Sequence, residues 1–259
     1  MFDTIIIHYG ELAIKGENRP YFEHMLVNNI KERIKPHLTE IKRYYGRIIV
    51  FLTPQAVQYQ AEIQTLLKKI PGIANFSFAV SCPLDIDKIK AQLLKIAETY
   101  PPGASFKIAA RRSFKQFPYT SMELNKELGG VIYSKFETSV DLSSPERTYF
   151  VEITEHQAFL YIEKQEGLRG LPVGVSGRVL AFISGGIDSP VACYRMMKRG
   201  CFVVLLHFYN NRTGLREKIL QLAKTLNSFQ TPLKLYVIPF REIQQQIIAY
   251  IPGKFRMLT

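Results

Sequence analysis

The sequence predicts a protein of mixed α/β and α+β class, built in three parts, on three observations. Residues 1–72 and residues 73–166 each pass through short β-rich stretches and helical patterns in the mixed order of a small α+β domain. Residues 167–177, GLRGLPVGVSG, hold four glycines and a proline; that composition sustains neither a helix nor an inner strand, and reads as a linker or an extended crossing loop. From residue 178 to residue 259 uninterrupted apolar strands alternate with helices, which predicts a parallel sheet covered on both faces.

Each element has a local reason. Thr4–His8 is β-rich and stops at Gly10. Arg19–Lys35 places Phe22, Leu26, Ile30 and Ile34 on one helical face, and Pro36 ends the run. Lys42–Tyr45 and Arg47–Leu52 form a hairpin pattern around Gly46, and Gln55–Ile70 is helical in spacing up to Pro71-Gly72. The second part reads as strand Ala74–Ser81, helix Ile86–Tyr100, strand Ser105–Ala110 and helix Ser121–Phe136. A strand pair near Tyr149–Ile153 and Ala158–Ile162 completes it. Apolar residues at helical intervals, such as Ile89, Leu93 and Ile96, put both of its helices on one sheet face. In the third part the strands Arg178–Ile183, Phe202–His207 and Leu233–Ile238 alternate with helices over Ser189–Arg199, Gly214–Leu226 and from Glu242. Three strands are few beside the about five or six of an ordinary sheet, so this part reads as an incomplete piece of a longer domain.

Apolar residues make up 47% of the 259 and charged residues 22%, enough for packed cores and against wholesale disorder. The formal charge of +12 is uneven: residues 171–259 carry 12 basic and 3 acidic side chains, residues 1–170 the other 22 and 19. Such a surplus favours a polyanionic partner, a nucleic acid or a phosphorylated ligand. Cys82, Cys193 and Cys201 are an odd number with no CxxC pair, which points to reduced, buried thiols in a cytoplasmic protein rather than a disulfide framework or a zinc site. His8, His24, His37 and His156 are dispersed without metal-ligand spacing, and no apolar run approaches a membrane span.

The chemistry is concentrated in Ser184-Gly185-Gly186-Ile187-Asp188-Ser189, directly after an apolar strand and opening a helix with Pro190 in its first position. Glycines let successive N–H groups approach a ligand oxygen, and the helix N-terminus behind them adds unpaired donors and partial positive charge. Ser184 and Ser189 add hydroxyl donors, and Asp188 or Ser189 suits the helix cap. A tight turn with a serine cap is the plainer alternative. The loop is not a Walker A motif: no GK[ST] follows, so no lysine is expected to reach β- and γ-phosphates. Such a loop suits a nucleotide attacked at its α-phosphate, with pyrophosphate leaving.

SGGIDS resembles the PP-loop of ATP pyrophosphatases. Together with Gly170–Gly177, the extension SGGIDSPVA, Met197-Lys198-Arg199-Gly200 and Leu206-His207-Phe208, and with Gly10–Gly16 and Asn18-Arg19 near the N-terminus, the chain is similar to the tRNA 4-thiouridine synthetase family from residue 8 to about residue 257. The resemblance implies a ferredoxin-like α+β domain at 1–72, a THUMP RNA-binding α+β domain at 73–166 and a partial α/β PP-loop domain at 178–259. It implies ATP with Mg²⁺, held at Phe182, Ile183, Ser184, Gly185, Gly186, Asp188, Ser189, His207 and Phe208, with Asp188 organising the loop and the metal. The implied activity is adenylation of a tRNA uridine, at position 8, and replacement of its C4 oxygen by persulfide sulfur; members also supply sulfur for the thiamine thiazole. The implied partners are the tRNA acceptor end, a persulfide-bearing cysteine desulfurase and a second copy of the chain, rather than DNA or a membrane. The family's catalytic cysteine has no counterpart among Cys82, Cys193 and Cys201.

For RNA the strongest local signal is KIAARRSFK, residues 107–115, four basic residues without an acid, with Phe114 and Phe117 interleaved. A solvated strand end with core phenylalanines explains the same string, but the family resemblance favours Arg111, Arg112 and Lys115 as RNA contacts. Lys15 and Arg19, around a glycine turn, either extend that track or are solvated surface. His207, at a strand end, is equally a hydrogen-bonded core residue or a ligand contact. A non-catalytic RNA-binding module and a different PP-loop tRNA-modifying enzyme are the rival functions.

Overall fold

The structure, a computed structural model, describes residues 2–14, 16–209 and 215–250. In chain order its elements begin with β1 (Thr4–Tyr9), α1 (Arg19–Ile34), β2 (Leu38–Tyr44), β3 (Arg47–Leu52) and α2 (Gln60–Leu67). Next come β4 (Ile73–Cys82), α3 (Ile86–Thr99), β5 (Ser105–Arg112), α4 (Ser121–Phe136) and β6 (Ser139–Val140). Then follow β7 (Arg147–Ile153), β8 (Ala158–Tyr161), β9 (Gln165–Glu166), β10 (Arg178–Phe182) and α5 (Asp188–Lys198). The last are β11 (Phe202–Tyr209), α6 (Leu215–Asn227), β12 (Lys234–Pro239) and α7 (Arg241–Tyr250). The expected helix over Gln55–Ile70 is shorter than its spacing suggested: Pro54–Tyr59 is a 3₁₀ segment and only α2 is α-helical. Among the described residues no helix is long and apolar enough to cross a membrane.

The described chain forms two compact units. The first takes in residues 2–9, 34–64 and 74–166 and contains a nine-stranded sheet in the order β2-β3-β1-β4-β8-β7-β5-β6, with β9 paired to β4. Strands from residues 1–72 and from 73–166 therefore share one ladder. Where they meet, the Asp3 N–H and the Thr4 hydroxyl both donate to the Ala79 carbonyl, at 3.1 and 3.0 Å. The helix pattern worked as expected: Ile89 and Leu93 of α3 and Leu124, Leu128 and Ile132 of α4 bury into one cluster with Phe106, Tyr149, Val151 and Leu160. α4 starts where it does because Thr120 and Glu123 form a reciprocal capping box. On the opposite face Ile6, Ile49, Ala79, Phe159 and Tyr161 form a thinner apolar layer. Period-two alternation divides the residues between these faces, as with Ala158 and Leu160 on one and Phe159 and Tyr161 on the other.

The second unit takes in residues 10–33, 65–73 and 167–250. Its sheet is parallel, in the order β10-β11-β12. Ile183, Cys193, Met197, Val203, Leu205, Ile219 and Leu226 make the core between one face of this sheet and α5 and α6. The expectation of a sheet covered on both faces is not met among the described residues. Leu180, Phe182, Phe208, Tyr236 and Ile238 are exposed on the other face. The cause is topological: the strand order advances in one direction, so successive right-handed crossovers deposit α5 and α6 on the same side. An unbroken apolar run cannot reveal that difference.

Residues 167–177 form no free linker. Leu171 and Val173 are buried; Leu171 bridges to Arg199, and the Gly174 and Ser176 N–H groups both donate to the Gly200 carbonyl, at 2.8 and 3.0 Å. This is the extended-crossing alternative, packed edge-on against the end of α5. Gly170 is forced by it: φ is +77°, and an added Cβ would lie 2.3 Å from the Lys198 carbonyl oxygen.

Candidate functional site

The loop 184–189 springs from the C-terminal end of β10, where a parallel α/β sheet presents ligands. Ile183 is pinned first: its N–H donates to the Leu206 carbonyl at 2.9 Å, and its own carbonyl accepts from His207 Nδ1 at 2.9 Å. Beyond it, the Ser184 N–H donates to Ser189 Oγ at 3.0 Å, the two hydroxyls lie 3.1 Å apart, and the Gly186 N–H reaches Ser184 Oγ at 3.4 Å. Hydroxyls and amides thus converge on one exposed turn at the N-terminus of α5, a donor set suited to an anion.

The local details correct two expectations about this turn. α5 begins at Asp188, its N-cap is Ile187, and no side chain caps it. Asp188 is therefore the first helical residue, Ser189 turns back to Ser184 rather than capping, and Pro190 stands third. Proline is still tolerated there, because the first four N–H groups of a helix have no intrahelical partner. The other correction concerns lysine. Gly185 lets α6 approach so closely that a Cβ built on it would lie 2.8 Å from Leu215 Cδ1, 3.6 Å from Lys218 Cδ and 3.9 Å from Lys218 Nζ. A lysine does reach the loop, from a later helix, where a motif search along the chain has no reason to look.

The nine residues expected to hold nucleotide gather at the ends of β10 and β11, but they divide between sheet faces. Ile183 and His207 are buried, at 3% and 5% exposure, on the helix-covered side. Any contact they make with a ligand runs through main-chain atoms unless the packing opens. His207 Nε2 is buried without a hydrogen-bond partner among the described residues. Phe182 and Phe208 stand on the open side with rings stacked at 5.6 Å, and Phe208 meets Phe240 at 4.9 Å. Cys82, Cys193 and Cys201 are all buried and unpaired, and burial pushes the Cys82 and Cys193 thiols up. Among the described residues no group of three His, Cys, Asp or Glu could hold a metal ion.

The expected RNA contacts fall in both units. Lys15 lies outside the described residues. Arg19 opens α1 in the second unit and pairs with Glu23 at 2.7 Å. In the first unit Arg111 and Lys115 are exposed, whereas Arg112 Nη1 is tied to the Lys115 and Phe117 carbonyls, at 3.2 and 2.8 Å. Phe117 is buried and Phe114 packs against the same core, so the plainer reading of these phenylalanines holds and neither offers a stacking platform.

A basic and aromatic sheet face is what the sequence reading missed. Opposite α3 and α4, Lys42 lies over the Phe51 ring at 5.3 Å and Lys164 over the Phe150 ring at 4.2 Å. Phe150 itself stacks on Tyr161 at 4.9 Å. Beneath them Glu152, 1% exposed, pairs with Arg47, with His8 Nε2 at 3.2 Å and with the Tyr161 hydroxyl at 2.7 Å. Burial alone would raise the Glu152 carboxyl, but the hydrogen bond and charge of His8, the charge of Arg47 and the Tyr161 hydroxyl hold it down at about 2. Burial beside that carboxylate pushes the Tyr161 phenol up. The signal was present as period-two alternation in Lys42-Arg43-Tyr44 and Phe150-Val151-Glu152, but it needs the strand order to assemble.

A serine- and glycine-rich loop on a parallel strand–helix unit stands in one chain with an α+β sheet that carries a cationic aromatic face, the make-up of a mixed α/β and α+β protein. Family models agree part by part: the ThiI ferredoxin-like domain matches residues 4–77, the THUMP domain residues 84–163, and the thiamine biosynthesis protein (ThiI) model residues 174–259. The chain belongs to the ThiI family, that of the 4-thiouridine synthetases and tRNA sulfurtransferases. Probable tRNA sulfurtransferases of Moorella thermoacetica and Bacillus subtilis are 37% and 36% identical over 98% and 99% of this chain. The chain spans 65% of the length of each. A crystal structure of a 4-thiouridine synthetase–RNA complex with bound ATP superposes with a TM-score of 0.85 and 30% identity, over 100% of this chain and 67% of that one. A protein from Pyrococcus horikoshii, PH1313, gives 0.80 and 28% over 96% of this chain and 84% of that one.

Proposed function

We propose that this chain carries the RNA-binding and nucleotide-binding parts of a cytoplasmic, ATP-dependent tRNA sulfurtransferase. The single observation that carries the reading is the loop 184–189, with its hydroxyl and amide donors converging where β10 meets α5. The functional division runs at residues 72, 166 and 177: ferredoxin-like and THUMP parts for the tRNA acceptor end, a connecting segment, and the PP-loop part. In the proposed reaction the C4 oxygen of uridine 8 attacks the α-phosphorus of ATP and the bond to pyrophosphate breaks. The outer sulfur of a persulfide then attacks C4 and AMP leaves, and a thiol cleaves the sulfur–sulfur bond to give 4-thiouridine and a disulfide. A cysteine desulfurase is the donor class this requires, and the same sulfur supply serves thiamine thiazole synthesis. A second copy of the chain sharing one tRNA is compatible with the family.

The residues present fit the nucleotide. Ser184, Gly185, Gly186 and Ser189 offer donors to the diphosphate, Phe182 and Phe208 present stacked rings on the open sheet face, and the buried Ile183 and His207 offer main-chain atoms. Asp188 is the one carboxylate in the loop, which suits a Mg²⁺ that takes its remaining ligands from phosphate oxygens and water. Bound there, the metal would neutralise charge on the departing pyrophosphate. Before and after that, this chain's own residues orient the phosphates and keep them aligned for displacement. On the RNA side the basic and aromatic sheet face suits phosphate contact and stacking, since A-form RNA hides its major groove from side chains.

That same face favours one second reading, a non-catalytic tRNA-binding module, for which residues 1–165 would suffice. Titration calorimetry with ATP separates the two, using the wild type and Gly185→Asp. The enzyme reading expects binding by the wild type and none by the variant, with tRNA gel shifts unchanged in both. Wild-type protein that shifts tRNA but takes up no ATP leaves only the module. Thionucleoside analysis of tRNA treated with the wild type, ATP and a persulfide donor then distinguishes sulfur transfer from other PP-loop modifications.

A further inference from the structure

We propose that Lys218 is the cation that holds the β- and γ-phosphates over the loop 184–189, doing from α6 what the motif lysine does inside a Walker A loop. The inference rests on the reading of that loop as a phosphate site. Gly185 has no side chain, and α6 uses the space: a Cβ there would lie 2.8 Å from Leu215 Cδ1 and 3.9 Å from the Lys218 ammonium. The Lys218 stem thus lies along the glycine and delivers its charge to the rim of the turn formed by Ser184, Gly186 and Ser189.

Three features make it a ligand cation rather than a structural one. Lys218 is exposed, and among the described residues it makes no hydrogen bond or ion pair, so its charge is available. The loop's hydroxyl and amide donors are neutral, whereas a triphosphate brings about four negative charges to a site whose only other formal charge in the loop is the acidic Asp188. A lysine acts on phosphate as a mobile point charge and needs no fixed fork geometry, which suits a group that must release pyrophosphate after displacement. Placement on α6 also links the loop to the helix that follows β11.

The test is titration calorimetry of the 259-residue chain with ATP, pyrophosphate and AMP, comparing wild type, Lys218→Met and Lys218→Arg. Lys218→Met is expected to weaken ATP and pyrophosphate about ten- to a hundredfold, the range for one charge-assisted contact. AMP should stay within about twofold, because it lacks the groups the lysine holds, and Lys218→Arg should recover most of the loss. ATP affinity unchanged in Lys218→Met overturns the proposal and leaves the phosphate loop standing. An equal loss for AMP, or a lowered melting temperature accompanying the losses, also overturns it, since a packing role then explains the effect. Wild-type protein that binds none of the three ligands removes the loop reading and the lysine with it, a result visible before any variant is made.

Discussion

At the scale of single residues, Glu152 is held by three partners at once. Its carboxylate is buried with Arg47, His8 and Tyr161 around it, so removing it strands a guanidinium that is itself largely buried. Glu152→Ala is expected to destabilise the fold by about 3–5 kcal/mol in chemical denaturation, the cost of breaking a buried pair by deleting one partner. Its pH dependence has a definite sign. The folded value, about 2, lies below the ordinary value of 4.5, so the stabilisation is complete above about pH 4.5 and lost as pH falls toward 2. Unfolding followed from pH 6 to pH 2 should show wild type and Glu152→Gln converging at the acid end; parallel curves would deny the carboxylate this role. Neither the burial of Glu152 nor the approach of Lys218 to Gly185 was legible in the sequence, because each depends on residues brought together from elements far apart in the chain.

Among the elements, the docked segment 167–177 is the sharpest case. Four glycines and a proline announced a break in regular structure, and Gly170 and Gly174 do take left-handed backbone, at φ +77° and +100°. What composition could not convey is that the break is packed: Leu171 and Val173 are buried and the chain hydrogen-bonds to residues 198–200. Gly170→Ala must both strain φ and drive a Cβ into the Lys198 carbonyl. A loss of more than about 1 kcal/mol is expected, with faster hydrogen exchange at Leu171 and Gly174 as the local readout. Protection equal to wild type would mean the segment tolerates the side chain and is looser than it looks. By contrast α4 was legible to the residue, since Thr120 and Glu123 mark its start and its apolar spacing marks its buried face. The three parallel strands were equally legible as strands, yet their open face was not: β-propensity reports a residue's fit to a sheet and carries no record of which crossovers lie above it.

For the molecule as a whole, the proposed RNA binding turns on net charge and its placement. With +12 overall, affinity for tRNA should fall linearly in log–log form with salt, and the slope counts the phosphates engaged. Arg111→Ala and Lys115→Ala are each expected to lower that slope by about one, as are Lys42→Ala and Lys164→Ala on the sheet face. Arg112→Ala should act chiefly through stability, because its guanidinium is spent on the Lys115 and Phe117 carbonyls. A slope unmoved by Lys42 and Lys164 would place the RNA elsewhere. The class of each part was readable from element order, and the family from its motifs, because both are written along the chain. The cationic face was not, since the pairs β2–β3 and β7–β8 reach one sheet only through β1 and β4, which lie between them in the strand order. The shared ladder also limits how such a protein can be recombined. Residues 8 and 47 supply two of the partners of residue 152, so an N-terminal segment exchanged by fusion for one lacking His and Arg at those places would arrive with an orphaned anion beneath it. Modules that look separable in a family model would here have to be inherited together.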